Sequence, residues 1–302
     1  MEYILTTNGL SKQYGKFKAL DSLNMNVPKG SVYGFVGKNG AGKTTLIRIV
    51  SGLQNPTRGE YTLYGRSSTE KGIERSRRKM GAVVETPSIY LDMTAKENII
   101  EQYRVLGVPS YDGADELLHL VGLDGTGKKK AKNFSLGMRQ RLGIAVALAG
   151  NPDLLLLDEP ANGLDPQGII EIRELILRLN KEYGITVIIS SHILDELSRV
   201  ANYYGFIDKG RMVKEISADE LERACRKCLS VEVSDTALLA ATLDSIGAEY
   251  KITGDTTADI FGKIDISALV AQLDKAGCKI LHVTERDESL ESYYISLVGG
   301  EK

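Results

Sequence analysis

The sequence predicts an α/β protein built on a parallel sheet, followed by a smaller α+β unit, and three observations carry that prediction. A glycine-rich stretch, GKNGAGKTT (Gly37 to Thr45), joins a β-branched segment to an amphipathic one. DLLLLDEP (Asp153 to Pro160) holds four consecutive leucines without alternation, as a strand buried on both faces of a parallel sheet does. A helical repeat and a second unbroken apolar run follow it, which together make a strand–helix–strand unit.

Taken in chain order, SVYGFVG (Ser31 to Gly37) reads as a short strand. TTLIRIVSGL (Thr44 to Leu53) reads as a helix with Leu46, Ile47, Val50 and Leu53 on one face. Residues 86–146 are rich in helix formers, as in MTAKENIIEQYRVL and DGADELLHLVGL, and poor in strand signals, so a mostly helical insertion is expected there. After the Asp153 strand, PQGIIEIRELILRLNKEYG (Pro166 to Gly184) has helical apolar spacing and ends on glycine, and TVIISSH (Thr186 to His192) is the next strand. GFIDKGRMV reads as a hairpin turning on Asp208, Lys209 and Gly210. Ser217 and Glu220 stand at capping-box spacing and open a new helix, so a boundary falls near residue 216, dividing a domain at 1–215 from one at 216–302. Beyond it come a strand at 229–233, a helix at 235–247, short strands around YKIT and ADIFGKI, a helix at 266–277, the strand CKILHVT and a last helix, LESYYISLV. That βαββαβ order with a terminal helix predicts a small ferredoxin-like domain.

Composition narrows the function. Of 302 residues, 38 are basic and 40 acidic, a formal charge of −2, so there is no electrostatic case for wrapping nucleic acid or coating an anionic membrane. Three cysteines point to a reducing compartment; Cys225 and Cys228 form a C-x-x-C within LERACRKC, expected to be a charged helix, without a second pair at zinc spacing, and read as neighbouring thiols. No basic leader and no membrane-length apolar run stands out, so a cytosolic protein is expected, any membrane role coming through another chain.

Gly37, Gly42, Lys43 and Thr44 fit G-x-x-x-x-G-K-[ST] in the strand-to-helix setting that a phosphate loop requires. Small residues let backbone N–H groups curl around an anion, here along Gly37, Lys38, Asn39, Gly40, Ala41, Gly42, Lys43, Thr44 and Thr45, and the following helix adds its positive dipole end. Lys43 is then the cation for the β and γ phosphates, and the Thr44 hydroxyl a ligand for Mg2+. LLLLDEP supplies the acids: Asp158 to hold the metal, directly or through water, and Glu159 to polarise a water for attack on the γ-phosphate. The core is thus expected to be a P-loop NTPase, and with no N-K-x-D for guanine in the sequence a switch GTPase is set aside.

These residues, in this order across about 1–215, resemble the ATP-binding subunits of ABC transporters. The resemblance implies ATP and Mg2+ as ligands, and further roles residue by residue. Tyr14, in SKQYGKFKAL, lies where the family keeps an aromatic that stacks on adenine. NFSLGMRQRLGIA is similar to the family's signature, with Ser135 and Gly137 matching and Leu136 and Met138 departing; its serine would face the γ-phosphate bound on a second subunit, making the ATP-bound state a homodimer. ANGLDP carries Asp165 of the family's D-loop, and His192 looks like its switch histidine. Glu85, in GAVVETPSIY, stands where the family normally has a glutamine that reaches Mg2+ and water, so the resemblance implies it as a third metal ligand beside Thr44 and Asp158, one that offers only acceptor oxygens and adds a negative charge. That change, with FSLGMRQR and the C-terminal extension, most resembles the subgroup that exports or protects against bacitracin and lantibiotic peptides. The resemblance also implies a separate membrane permease as partner, docked on the helical insertion and the Glu85 to Tyr90 loop, and a peripheral location on the cytoplasmic face of the membrane. The rival is a soluble ABC ATPase acting on ribosomes or DNA. Such proteins carry paired cassettes or long coiled coils, and this chain has one cassette and no heptad run.

Overall fold

A computed structural model describes residues 2–225, 228–262, 264–286 and 290–299. The chain forms two compact units, residues 1–218 and 219–302.

In the first unit, β1 (Tyr3–Tyr14) and β2 (Phe17–Pro28) make an antiparallel pair, followed by β3 (Val32–Val36), α1 (Lys43–Val50), β4 (Arg58–Leu63), β5 (Arg66–Ser67), α2 (Ile73–Arg77) and β6 (Met80–Val83). Three helices of the 86–146 region come next, α3 (Ala95–Leu106), α4 (Gly113–Leu120) and α5 (Leu136–Leu148). The unit closes with β7 (Leu154–Asp158), α6 (Pro166–Tyr183), β8 (Thr186–Ser191), α7 (Leu194–Ser198), β9 (Tyr203–Asp208) and β10 (Arg211–Ser217).

The strands form two sheets, one ordered β2-β1-β4-β5 and antiparallel, the other β10-β9-β3-β8-β7-β6 and parallel except for the β9–β10 hairpin. All five residues of β7 are buried, as its unbroken leucine run predicts. One apolar cluster joins Leu10 and Leu23 of the first sheet, Leu46 and Ile49 of α1, and Phe35, Leu156 and Ile188 of the second. The phosphate-loop helix is therefore held on both sheets.

Glu215 of β10 ties the sheets together at one point. Its carboxylate accepts the Tyr33 hydroxyl at 2.7 Å and the Asn26 backbone and side-chain amides at 2.8 and 3.0 Å. Tyr33 is wholly buried, and burial first, then the Glu215 charge, pushes its phenol far above its usual range, so it remains a donor. Gly205 makes the room: a Cβ there would overlap the Tyr33 hydroxyl.

Several expectations need correction. Leu53 does not extend the helical face: α1 stops at Val50, Gly52 turns the chain left-handed at φ 80°, and Leu53 is 65% exposed. The hairpin turn is Lys209 and Gly210 alone, both at positive φ as a two-residue turn requires, with Asp208 still in β9. The N-terminal sheet has no clear signal in the sequence, because register shifts around Leu10 break the alternation of β1.

The second unit runs α8 (Ala218–Ala224, starting at the boundary), β11 (Cys228–Val233), α9 (Thr236–Ser245), β12 (Glu249–Ile252), β13 (Thr257–Phe261), α10 (Ile266–Lys275), β14 (Ile280–Arg286) and α11 (Leu290–Gly299). Its sheet is antiparallel in the order β12-β13-β11-β14, over a core of Val231, Val233, Leu239, Leu243, Ile260 and Leu273. Asp235 and Asp265 cap α9 and α10 through side-chain bonds to backbone N–H groups. Cys225 and Cys228 do not share a helix, since α8 ends at Ala224 and Cys228 opens β11; residues 226 and 227 between them, and Lys263 of the expected ADIFGKI strand, lie outside the described residues. Among the described residues no helix is long and apolar enough to cross a membrane.

Candidate functional site

The site gathers at the C-terminal ends of β3, β7 and β8, where a parallel sheet presents its loops. Residues 37–42 leave β3 and enter α1 at Gly42, which sits at φ 113° and offers no side-chain cap. The first-turn N–H groups of α1 are thereby left for an anion. Only glycine fits at two of these positions: a Cβ on Gly42 would lie 2.5 Å from the Ala19 carbonyl, and one on Gly37 2.6 Å from that of Ile207. Ala41 is buried and its carbonyl accepts Gly210 N–H at 2.9 Å, pinning the loop to the β9–β10 turn.

Lys43 is 5% exposed, and its Nζ donates to the carbonyls of Gly37 (2.6 Å) and Lys38 (3.3 Å) and meets Glu159 Oε1 at 3.1 Å. The other oxygen of Glu159, Oε2, lies 2.7 Å from His192 Nδ1. A carboxylate only accepts, so Nδ1 carries the hydrogen and Nε2 is the ring's remaining nitrogen. Glu159 itself has φ 49°, an uncommon region for a side chain of its kind, and is held there by bonds from its N–H to the Ser190 carbonyl and hydroxyl. The Ser190 hydroxyl donates in turn to Asp158 Oδ1 at 2.6 Å. One side chain of β8 thus aligns both acids.

Asp158 is 1% exposed, and its Oδ2 has no hydrogen-bond partner. An orphaned carboxylate oxygen at the base of a phosphate loop fits a cation ligand, and Thr44 on the cavity wall supplies a neutral oxygen.

Tyr14, Asn39, Gly40, Gly42, Lys43, Thr44, Thr45, Glu159 and His192 line one cavity of about 430 Å³. Tyr14 stands at its mouth, 42% exposed, its hydroxyl donating to Gln54 and its ring 5.3 Å from Lys12 Nζ. Phe17, Arg48 and Asn162 also line it and escaped the sequence reading; a second exposed aromatic three residues after Tyr14 was the available signal.

The remaining candidates lie apart from that cavity wall. Ser135 caps α5, accepting Met138 N–H at 3.2 Å, and Gly137 is in the first turn. Asp165 caps α6 through Gly168 N–H, ahead of Pro166 at the first helical position. Glu85 is at φ 58° and its carboxylate pairs with Arg48 at 2.6 Å. Behind Glu159 and His192, a mostly apolar cavity of about 300 Å³ separates α6 from α7 and has Glu196 on its wall. Burial, then the Glu159 charge, pushes the Glu196 carboxyl up.

The arrangement is similar to known proteins. A family model described as ABC transporter matches residues 20–162. The bacitracin transport ATP-binding protein BcrA of Bacillus licheniformis is 40% identical over 99% of each chain. The lantibiotic transport ATP-binding protein SrtF of Streptococcus pyogenes is 44% identical over 72% of this chain and 93% of that one. Among solved structures, the dimeric ATP-binding cassette MJ0796 bound to ADP and Pi matches 71% of this chain and 98% of its own at 28% identity and a TM-score of 0.63. CbiO1 of Clostridium perfringens, part of the transporter complex cbiONQ, covers 82% of this chain and 97% of its own at 26% identity, with a TM-score of 0.66.

Proposed function

Since the chain belongs to the ABC transporter ATP-binding proteins, and so is an ATPase cassette, we propose that it hydrolyses ATP in the cavity at Lys43 to drive a separate membrane permease that exports or confers immunity to bacitracin- or lantibiotic-type peptides. The observation that carries the chemistry is the run Lys43–Glu159–His192, with contacts of 3.1 and 2.7 Å.

In this reading the first unit is the ATP-binding domain. The N–H groups of the loop and the ammonium of Lys43 bind the β and γ phosphates. Asp158 Oδ2 and the Thr44 hydroxyl would hold Mg2+, which when bound would supply charge neutralisation for the phosphates. Glu159 accepts the proton of the attacking water, and His192 fixes the direction in which its carboxylate points. Tyr14 and Phe17 offer ring faces to adenine at the mouth of the cavity. Ser135, Gly137 and Asp165 act across the interface of an ATP-bound homodimer.

The second unit is an accessory domain, and its strand order supports a ferredoxin-like fold. The permease docks on the first unit in a groove of about 440 Å³ between β6, α3 and α5, which Ser88 borders three residues after Glu85. The peptide class rests on the full-length similarity to BcrA and the cassette similarity to SrtF. In this reading the protein sits at the cytoplasmic face of the membrane through that permease.

Deleting the gene and measuring susceptibility to bacitracin and to a lantibiotic, while pulling the tagged full chain from detergent-solubilised membranes, tests the proposal. Unchanged susceptibility to both would remove the peptide assignment, and recovery of ribosomes instead of a permease would remove the transporter role.

A further inference from the structure

Arg48 belongs to none of the motifs in the sequence, yet two features of the site meet on it. It lines the cavity of Lys43 and Thr44, and its Nη2 donates to Glu85 Oε1 at 2.6 Å. Its own main-chain carbonyl accepts the N–H groups of Leu53 (2.8 Å) and Gln54 (3.2 Å), and Gln54 accepts the hydroxyl of Tyr14. The last turn of α1 therefore reaches the cavity mouth through Gln54 and the loop after β6 through Arg48.

Glu85 holds a left-handed backbone, φ 58°, that a residue with a long side chain seldom takes without something to retain it. The guanidinium is the partner that retains it. The pair is partly exposed, 34% at Arg48 and 55% at Glu85, so it contributes little to stability and is easily exchanged. A guanidinium fits phosphate as well as it fits carboxylate. An anion entering the cavity thus competes with Glu85 for the same fork of donors.

We propose that Arg48 is a positioning residue which, through its ion pair with Glu85, sets the conformation of the loop at 84–90 according to whether the neighbouring cavity holds a nucleotide. Glu85, which lies off the cavity wall, then communicates with the nucleotide through a protein cation. This rests on the cavity being the ATP site.

The test is hydrogen exchange of the backbone amides at 84–90 in the full chain, with and without magnesium and the non-hydrolysable analogue AMP-PNP, at saturation established by titration. In the wild type the analogue changes exchange of this loop by roughly two- to fivefold, the factor that an exposed pair of ordinary strength supplies. In Arg48→Gln and in Glu85→Gln the loop exchanges alike with and without analogue, and Arg48→Lys, which keeps the charge, restores part of the response. A wild-type loop that ignores the bound analogue, a normal response in Arg48→Gln, or no recovery in Arg48→Lys overturns the role of Arg48. Failure of the wild type to bind the analogue at all overturns the nucleotide reading beneath it.

Discussion

Glu159→Gln changes one atom and tests the centre of the site. The backbone is undisturbed, because the bonds from the Glu159 N–H to Ser190 do not involve the carboxylate. What changes is the charge facing Lys43, which is 5% exposed, and His192. The amide oxygen keeps an ordinary bond from Lys43, while the amide nitrogen can only donate, so His192 keeps its bond only by moving its hydrogen from Nδ1 to Nε2; at about 1 kcal/mol for each weakened contact, stability falls by about 2 kcal/mol. For a unit of this size that lowers Tm by roughly 4–8 °C. The amide cannot accept the proton of a water, so kcat falls by about 10²–10⁴, or roughly 3–5 kcal/mol of barrier. ATP affinity holds or improves, since a negative charge leaves the phosphate site. Phosphate release, titration with a fluorescent ATP analogue and a thermal melt read the three effects separately. Turnover within tenfold of wild type, about 1.4 kcal/mol, would refute Glu159 as the base.

Lys43→Ala removes the buried ammonium and is expected to weaken nucleotide binding itself; unchanged affinity in the same titration contradicts its role. Mixing Lys43→Ala chains with Ser135→Arg chains yields heterodimers in which one composite site carries both defects and the other neither, so ATPase activity partly returns where a single intact site can turn over; no recovery at any ratio counts against Ser135 acting across the interface if ATP also fails to dimerise Glu159→Gln chains, and shows that both sites must be intact if ATP still dimerises them. Glu196 has its carboxyl pushed up in the fold, so the folded state keeps its proton where the unfolded chain has lost it, and the penalty for ionising it grows as pH rises from the usual carboxylate range through the raised value. Glu196→Gln should therefore raise Tm at pH 8 and lose that gain as pH falls towards 4; a gain independent of pH would show that the charge is not the cause.

Much of this site is legible in the sequence because its parts are local. The phosphate loop is nine contiguous residues, Asp158 and Glu159 are neighbours at the end of a leucine run, and His192 follows the next strand. What the sequence conceals is non-local. Ser190 is one of two serines ending an apolar run, and only pairing of β7 with β8 shows that its hydroxyl serves both acids. Arg48 reads as an ordinary basic residue on an amphipathic helix, and its partner is 37 residues away. The N-terminal sheet is hidden for a related reason: its strands are bulged, so the period of two that marks a half-buried strand is interrupted where β1 turns along its partners.

The clasp at Glu215 bears on how such a chain can diverge. Tyr33, Gly205, Asn26 and Glu215 sit on four strands, and each is acceptable only while the others stay. A side chain at 205 collides with the ring, a phenylalanine at 33 or an aliphatic residue at 26 takes a donor from the carboxylate, and an aliphatic residue at 215 abandons a wholly buried hydroxyl. Single steps away from this combination pass through a less stable intermediate, so in descendant lineages the positions should be replaced together or not at all. Their joint history would mark the joint between the two sheets, where drift at the surface leaves no such trace.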